Sequence, residues 1–88
     1  MEIPVTLGGH RQVPGTEATF TENVSAKGAR VVSARRWDKG AQLSFASRTG
    51  EFRSEARVAY CQSLHGEGYA IGVEFLAPKG RWVVQSAN

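Results

Sequence analysis

Eighty-eight residues and 9.5 kDa give the chain room for one compact core and no second domain. Eleven Lys and Arg against eight Asp and Glu leave a net charge of +3, which suits an anionic ligand and is too mild to demand a polymer such as DNA. Cys61 is the single cysteine, so no disulfide framework is available. No apolar run approaches the roughly 20 residues of a membrane-spanning helix.

A lone thiol fits a reducing compartment, and Met1-Glu2-Ile3-Pro4-Val5 lacks the basic start and apolar run of a secretory leader. The expected location is therefore the cytoplasm. Eight of the cationic residues are Arg and three are Lys. That bias favours planar, two-pronged recognition of phosphate and stacking on flat rings.

Ile3, Val5 and Leu7 alternate with Pro4 and Thr6, the two-residue period of a half-buried strand, which ends at Gly8-Gly9. Turn chemistry from His10 to Gly15 leads into a second strand at Ala18-Thr19-Phe20-Thr21. A turn is expected from Asn23 to Gly28. In the third strand, Ala29, Val31 and Ser33 share one face, and Arg30 and Val32 share the other. The polar run Arg35-Arg36-Trp37-Asp38-Lys39-Gly40 reads as a loop.

Ala41, Leu43 and Phe45 alternate with Gln42 and Ser44 in a fourth strand, and Arg48-Thr49-Gly50 makes a tight connection to a long fifth. There Phe52, Ala56, Val58 and Tyr60 are predicted on the inner face, with Arg53, Glu55, Arg57 and Cys61 outside. Gly66 and Gly68 turn the chain into a sixth strand whose inner face carries Tyr69, Ile71, Val73 and Phe75. Arg81-Trp82-Val83-Val84 reads as a further short strand or a tail. No segment sustains a 3.6-residue apolar period. The expected fold is all-β, a small six-stranded antiparallel barrel, because closure removes exposed strand edges. A sandwich is the alternative.

Asn23-Val24-Ser25-Ala26-Lys27-Gly28 carries most of the functional information. Asn and Ser side chains bond nearby backbone and hold tight turns, and a glycine there is expected to supply a positive φ. In isolation the string implies a turn and nothing more. Its place between the second and third of six strands, with Tyr69-Ala70-Ile71-Gly72-Val73-Glu74-Phe75 as the sixth, gives the chain a pattern that resembles the PilZ family from about Ile3 to Pro78. In that family a D/N-x-S-x-x-G turn follows the second strand, and a Gly-Val-Glu-Phe-like strand closes the barrel.

The resemblance implies a non-catalytic, PilZ-type β-barrel that binds the bacterial second messenger cyclic di-GMP, with Asn23, Ser25 and Gly28 against a guanine and its sugar-phosphate. A relay to an adjacent domain or a protein partner is implied with it. The family's R-x-x-x-R segment precedes the first strand, where this chain reads Met1-Glu2-Ile3. Either those arginines lie upstream in a larger protein, or the domain is degenerate and serves protein partners. Arg53-Ser54-Glu55-Ala56-Arg57 matches the string, but its spacing puts both arginines on one outer strand face. Arg30, Arg35 and Arg36, on or after the strand that leaves the motif, are the better candidates for ligand contact. Arg11 reads as a surface loop residue.

No enzyme chemistry is expected, since Cys61 and His65 lack a third orienting residue. Together with His10 they fall short of any metal-ligand spacing. Neither Gly8-Gly9 nor Gly66-Glu67-Gly68 precedes a helix, so both read as hairpin turns rather than phosphate loops. Trp37 and Trp82 are the candidates for exposed stacking platforms in a rival reading, a basic barrel for single-stranded nucleic acid.

Overall fold

A computed structural model describes residues 1–84. Seven strands follow in order: β1 (Pro4–Gly8), β2 (Thr16–Ser25), β3 (Gly28–Ser33), β4 (Gln42–Ser47), β5 (Phe52–Ser63), β6 (Tyr69–Phe75) and the two-residue β7 (Lys79–Gly80). Six of them run β4-β1-β2-β3-β6-β5, and β5 returns to β4, closing an antiparallel barrel. β7 pairs with Phe52 and Arg53 at the start of β5. The barrel reading holds, and the sandwich is set aside.

Alternation produces the closure. Val5 and Leu7, Val31, Leu43 and Phe45, and Phe52, Ala56 and Val58 all point inward and are buried. Each burial of a large apolar side chain is worth about 1.5–3 kcal/mol, which carries the fold for want of disulfides. Thr21 and Ser33 are the buried polar exceptions on β2 and β3. Thr21 accepts the Ile3 amide at 2.9 Å and donates to the Met1 carbonyl at 2.8 Å, so the polar atom is satisfied and fastens the N-terminal residues to β2.

Two tryptophans seal the ends instead of standing in solvent. Trp37 donates from Nε1 to Ser33 Oγ at 3.1 Å and takes the edge of His10 at 4.6 Å between ring centroids. Trp82 packs among Phe45, Phe52 and Phe75 at the other end. With both indoles buried, neither is the exposed platform that the nucleic-acid reading required. An indole whose N–H finds a partner is a large apolar group, and burial is its stable position.

One face assignment is reversed. β5 keeps register with β6 from Ala56↔Phe75 to Val58↔Val73, then a bulge inserts Ala59, and pairing resumes at Tyr60↔Gly72. The extra residue inverts the alternation. Tyr60, expected inside, is exposed on the outer surface, while Cys61, expected outside, packs against the core. Arg53, Glu55 and Arg57 precede the bulge and face outward as predicted.

Candidate ligand-binding groove

β2 is longer than its apolar pattern suggested and carries Asn23, Val24 and Ser25 within its last turn of ladder, paired to Arg30, Ala29 and Gly28. Only Ala26 and Lys27 make the turn. Ser25 Oγ accepts the Lys27 amide at 3.3 Å and lies 3.4 Å from the Gly28 carbonyl, and Asn23 Oδ1 accepts the Val24 amide at 3.0 Å. The expected role of Gly28 is corrected. Its φ is not positive, and a Cβ there would overlap the Val73 carbonyl of β6. Glycine is required because two backbones approach closely, not because the turn is left-handed.

Outside the barrel, four strands bring Asn23, Arg30, Gly72 and Tyr60 into one row through the pairs Asn23↔Arg30, Arg30↔Gly72 and Gly72↔Tyr60. Gly72 is the gap in that row. The Tyr60 ring lies over it in the space a Cβ would fill, so Arg30 reaches across. Its Nη1 donates to Tyr60 Oη at 3.0 Å, and its guanidinium carbon sits 5.7 Å from the ring centroid. From the other side Arg30 Nε meets Glu22 Oε1 at 3.0 Å. The hydrogen bond to Tyr60, then that to Glu22, raises the Arg30 pKa above its ordinary value.

These side chains border an open groove of about 360 Å³, lined by Asn23, Ser25, Lys27, Gly28 and Arg30 with Tyr60, Gly72 and Glu74. That volume lies within the roughly 300–1,000 Å³ of small-molecule sites. Tyr60 offers an aromatic face, Asn23 an amide, and Lys27 and Arg30 positive charge. Glu74 is held by Arg57 at 2.6 Å. Among the described residues Lys27 has no ion pair.

Asn23, Ser25, Gly28 and Arg30 therefore come together, and Arg35 and Arg36 do not join them. Both follow Ser33, the far end of β3, which lies roughly 17 Å from Gly28 at about 3.3 Å per residue. Arg36 lines a second cavity of about 230 Å³ with His10, Arg11 and Asp38. Arg35 turns inward, and its Nη1 is buried without a hydrogen-bond partner. Reasoning from the sequence missed Tyr60 and Glu22. A glycine in the middle of β6 was the available signal for Tyr60, since such a position marks a close approach.

Among the described residues there is no group of three or more His, Cys, Asp or Glu placed to hold a metal ion, and no helix long and apolar enough to cross a membrane. The protein-family model described as the PilZ domain matches residues 1–81. No curated protein and no solved structure matches the chain.

Proposed function

This chain belongs to the PilZ domain family, and on that premise we propose that it is a non-catalytic receptor-type domain that takes cyclic di-GMP into the groove beside the Asn23–Gly28 motif. The observation that carries this reading is the convergence of Asn23, Ser25, Gly28 and Arg30 on one groove, with Tyr60 as its aromatic wall. Amide and hydroxyl groups read base edges, Gly28 lets backbone approach, and Tyr60 supplies a flat surface for a purine. Lys27 and Arg30 supply the phosphate contacts. The proposed setting is the bacterial cytoplasm, with occupancy relayed to an adjacent domain or partner protein.

A second reading, a degenerate domain that serves as a protein-interaction module, draws on Arg30. Its guanidinium is already committed to Glu22 and Tyr60, so a phosphate has to displace a carboxylate, and the remaining groove cation is Lys27. Calorimetric titration with cyclic di-GMP separates the two. Micromolar or tighter heat that is abolished in Ser25→Ala supports the receptor. Silence up to millimolar ligand removes it and leaves the interaction module.

A further inference from the structure

β5 is twelve residues long, but its two neighbours cover it unequally. β6 accompanies it from Ala56 to Ser63, whereas β4 pairs only with Arg53 to Arg57. The loop before β4 adds one more step: Val58 donates to Ala41 and accepts from Gly40 at 2.8 and 2.7 Å. Beyond Val58, no strand among the described residues lies along that side of Ala59–Ser63. Among the described residues, an otherwise closed barrel thus has an open edge at Ala59–Ser63.

The bulge decides which groups that edge presents. Val58 turns its amide and carbonyl toward the Gly40–Ala41 side, so in an alternating ladder Arg57 faces Glu74 of β6. β6 keeps unbroken register with β3, so Gly72 and Ala70 also face β5, opposite Tyr60 and Gln62. Cys61 and Ser63 are left with their amides and carbonyls directed at the open side.

Proteins usually block such edges with Lys, Pro, bulges or a covering segment. Ala59-Tyr60-Cys61-Gln62-Ser63 has no charged residue and no proline, in a chain where 22% of residues are charged. Its bulge lies at the near end and leaves Tyr60 to Ser63 in regular register. The segment is also its own complement. Turned antiparallel about Cys61, it sets Tyr60 against Gln62 and Ala59 against Ser63, with no like charges opposed.

We propose that the Ala59–Ser63 edge of β5 pairs antiparallel with the same segment of a second copy of this chain, about a two-fold axis through Cys61. Cys61 and the partner's Cys61 exchange both backbone hydrogen bonds, and two barrels join in one continuous sheet. A five-residue seam falls well short of the roughly 1,000 Å² of a stable interface. The dimer is therefore weak, with a dissociation constant on the order of 0.1–1 mM.

Sedimentation equilibrium from about 10 µM to 1 mM, with amide exchange read by NMR over the same range, tests this. The expected result is a monomer–dimer equilibrium in which the Cys61 and Ser63 amides become protected as concentration rises, while those of Tyr60 and Gln62 stay protected throughout. Ser63→Pro deletes only an outward-facing amide and is expected to raise the dissociation constant tenfold or more with the circular dichroism spectrum unchanged. If that variant unfolds, Gln62→Lys, which sets a charge beside the seam, takes its place. A monomer at 1 mM overturns the proposal. So does a dimer that survives the folded variant, or a Cys61 amide already protected in the dilute monomer.

Discussion

The indole nitrogen of Trp82 donates to the carbonyl oxygen of Ser25 at 2.8 Å across fifty-seven positions of sequence. The C-terminal segment and the motif turn are thereby joined, and the joint is built into the aromatic plug of the barrel. Trp82→Phe keeps a ring in the plug and strands the Ser25 carbonyl, so a loss of about 1–2 kcal/mol is expected. Trp82→Ala opens the plug as well and is expected to cost about 3–5 kcal/mol. Urea titration orders the two. Equal losses would mean that the hydrogen bond, not the packing, carries the contribution.

Gly28 and Gly72 both exclude a side chain, but what stands in the way differs. At Gly28 it is the Val73 carbonyl, and at Gly72 it is the Tyr60 ring. A backbone cannot step aside without parting β3 from β6, so Gly28→Ala is expected to cost about 2–3 kcal/mol. The Tyr60 ring can swing outward, and Gly72→Ala is expected to cost about 1 kcal/mol. In a Tyr60→Ala background that cost disappears, and a double-mutant cycle read by thermal unfolding shows it as coupling of at least about 0.5 kcal/mol. Additive effects would refute the seat that Gly72 provides.

Glu22 competes for Arg30. An exposed ion pair is weak, so Glu22→Gln is expected to release the guanidinium and tighten cyclic di-GMP binding by up to about fivefold. Tyr60→Ala is expected to weaken it by about 1–3 kcal/mol through lost stacking. Calorimetry on the two variants reads both. Unchanged affinity in each would remove the hydrogen-bonded Glu22, Arg30 and Tyr60 side chains from the binding site.

His10 organises the opposite end. Its Nε2–H donates to the Arg36 carbonyl at 2.8 Å, and its Nδ1 accepts the Gln12 and Val13 amides at 3.1 and 3.2 Å. His10→Ala is expected to cost about 1–2 kcal/mol and to speed amide exchange at Gln12 and Val13 and around Trp37, with the Ala26–Lys27 turn unaffected. Faster exchange at both ends would show that the ends do not open independently.

Strand alternation made six strands and most inward faces legible, because a two-residue period in a half-buried strand is written directly in residue type. Alternation also failed at one place. Nothing in Val58-Ala59-Tyr60-Cys61 reveals an inserted residue, since the bulge arises from pairing with β6 rather than from local preference. The positions of Trp37 and Trp82 stayed open for a related reason, with exposure needed only by the nucleic-acid rival: their burial depends on the Ser33 hydroxyl and the Ser25 carbonyl, acceptors that are distant or hidden in sequence. The motif was legible as residue types, while Tyr60 required the cross-strand row and Glu22 its hydrogen bond to Arg30 across a register shift in β2. Arg35 and Arg36 illustrate the converse, since adjacency along β3 says nothing about which end of a strand a ligand occupies.

The strand order also shapes the life of the chain before the barrel exists. β1, β2 and β3 pair consecutively, so a ribosome that has delivered residues up to Ser33 has delivered a three-stranded meander with both flanks bare. One flank waits for β4 and the other for β6, and the seam between β4 and β5 closes only when the later strands arrive. At about 5–20 residues per second that interval lasts roughly 2–8 seconds. At its start Val5, Leu7 and Val31 lack the apolar partners from β4, β5 and β6 that surround them in the barrel. The nascent meander, rather than the finished barrel, is the species with the greatest tendency to associate with whatever strand comes near.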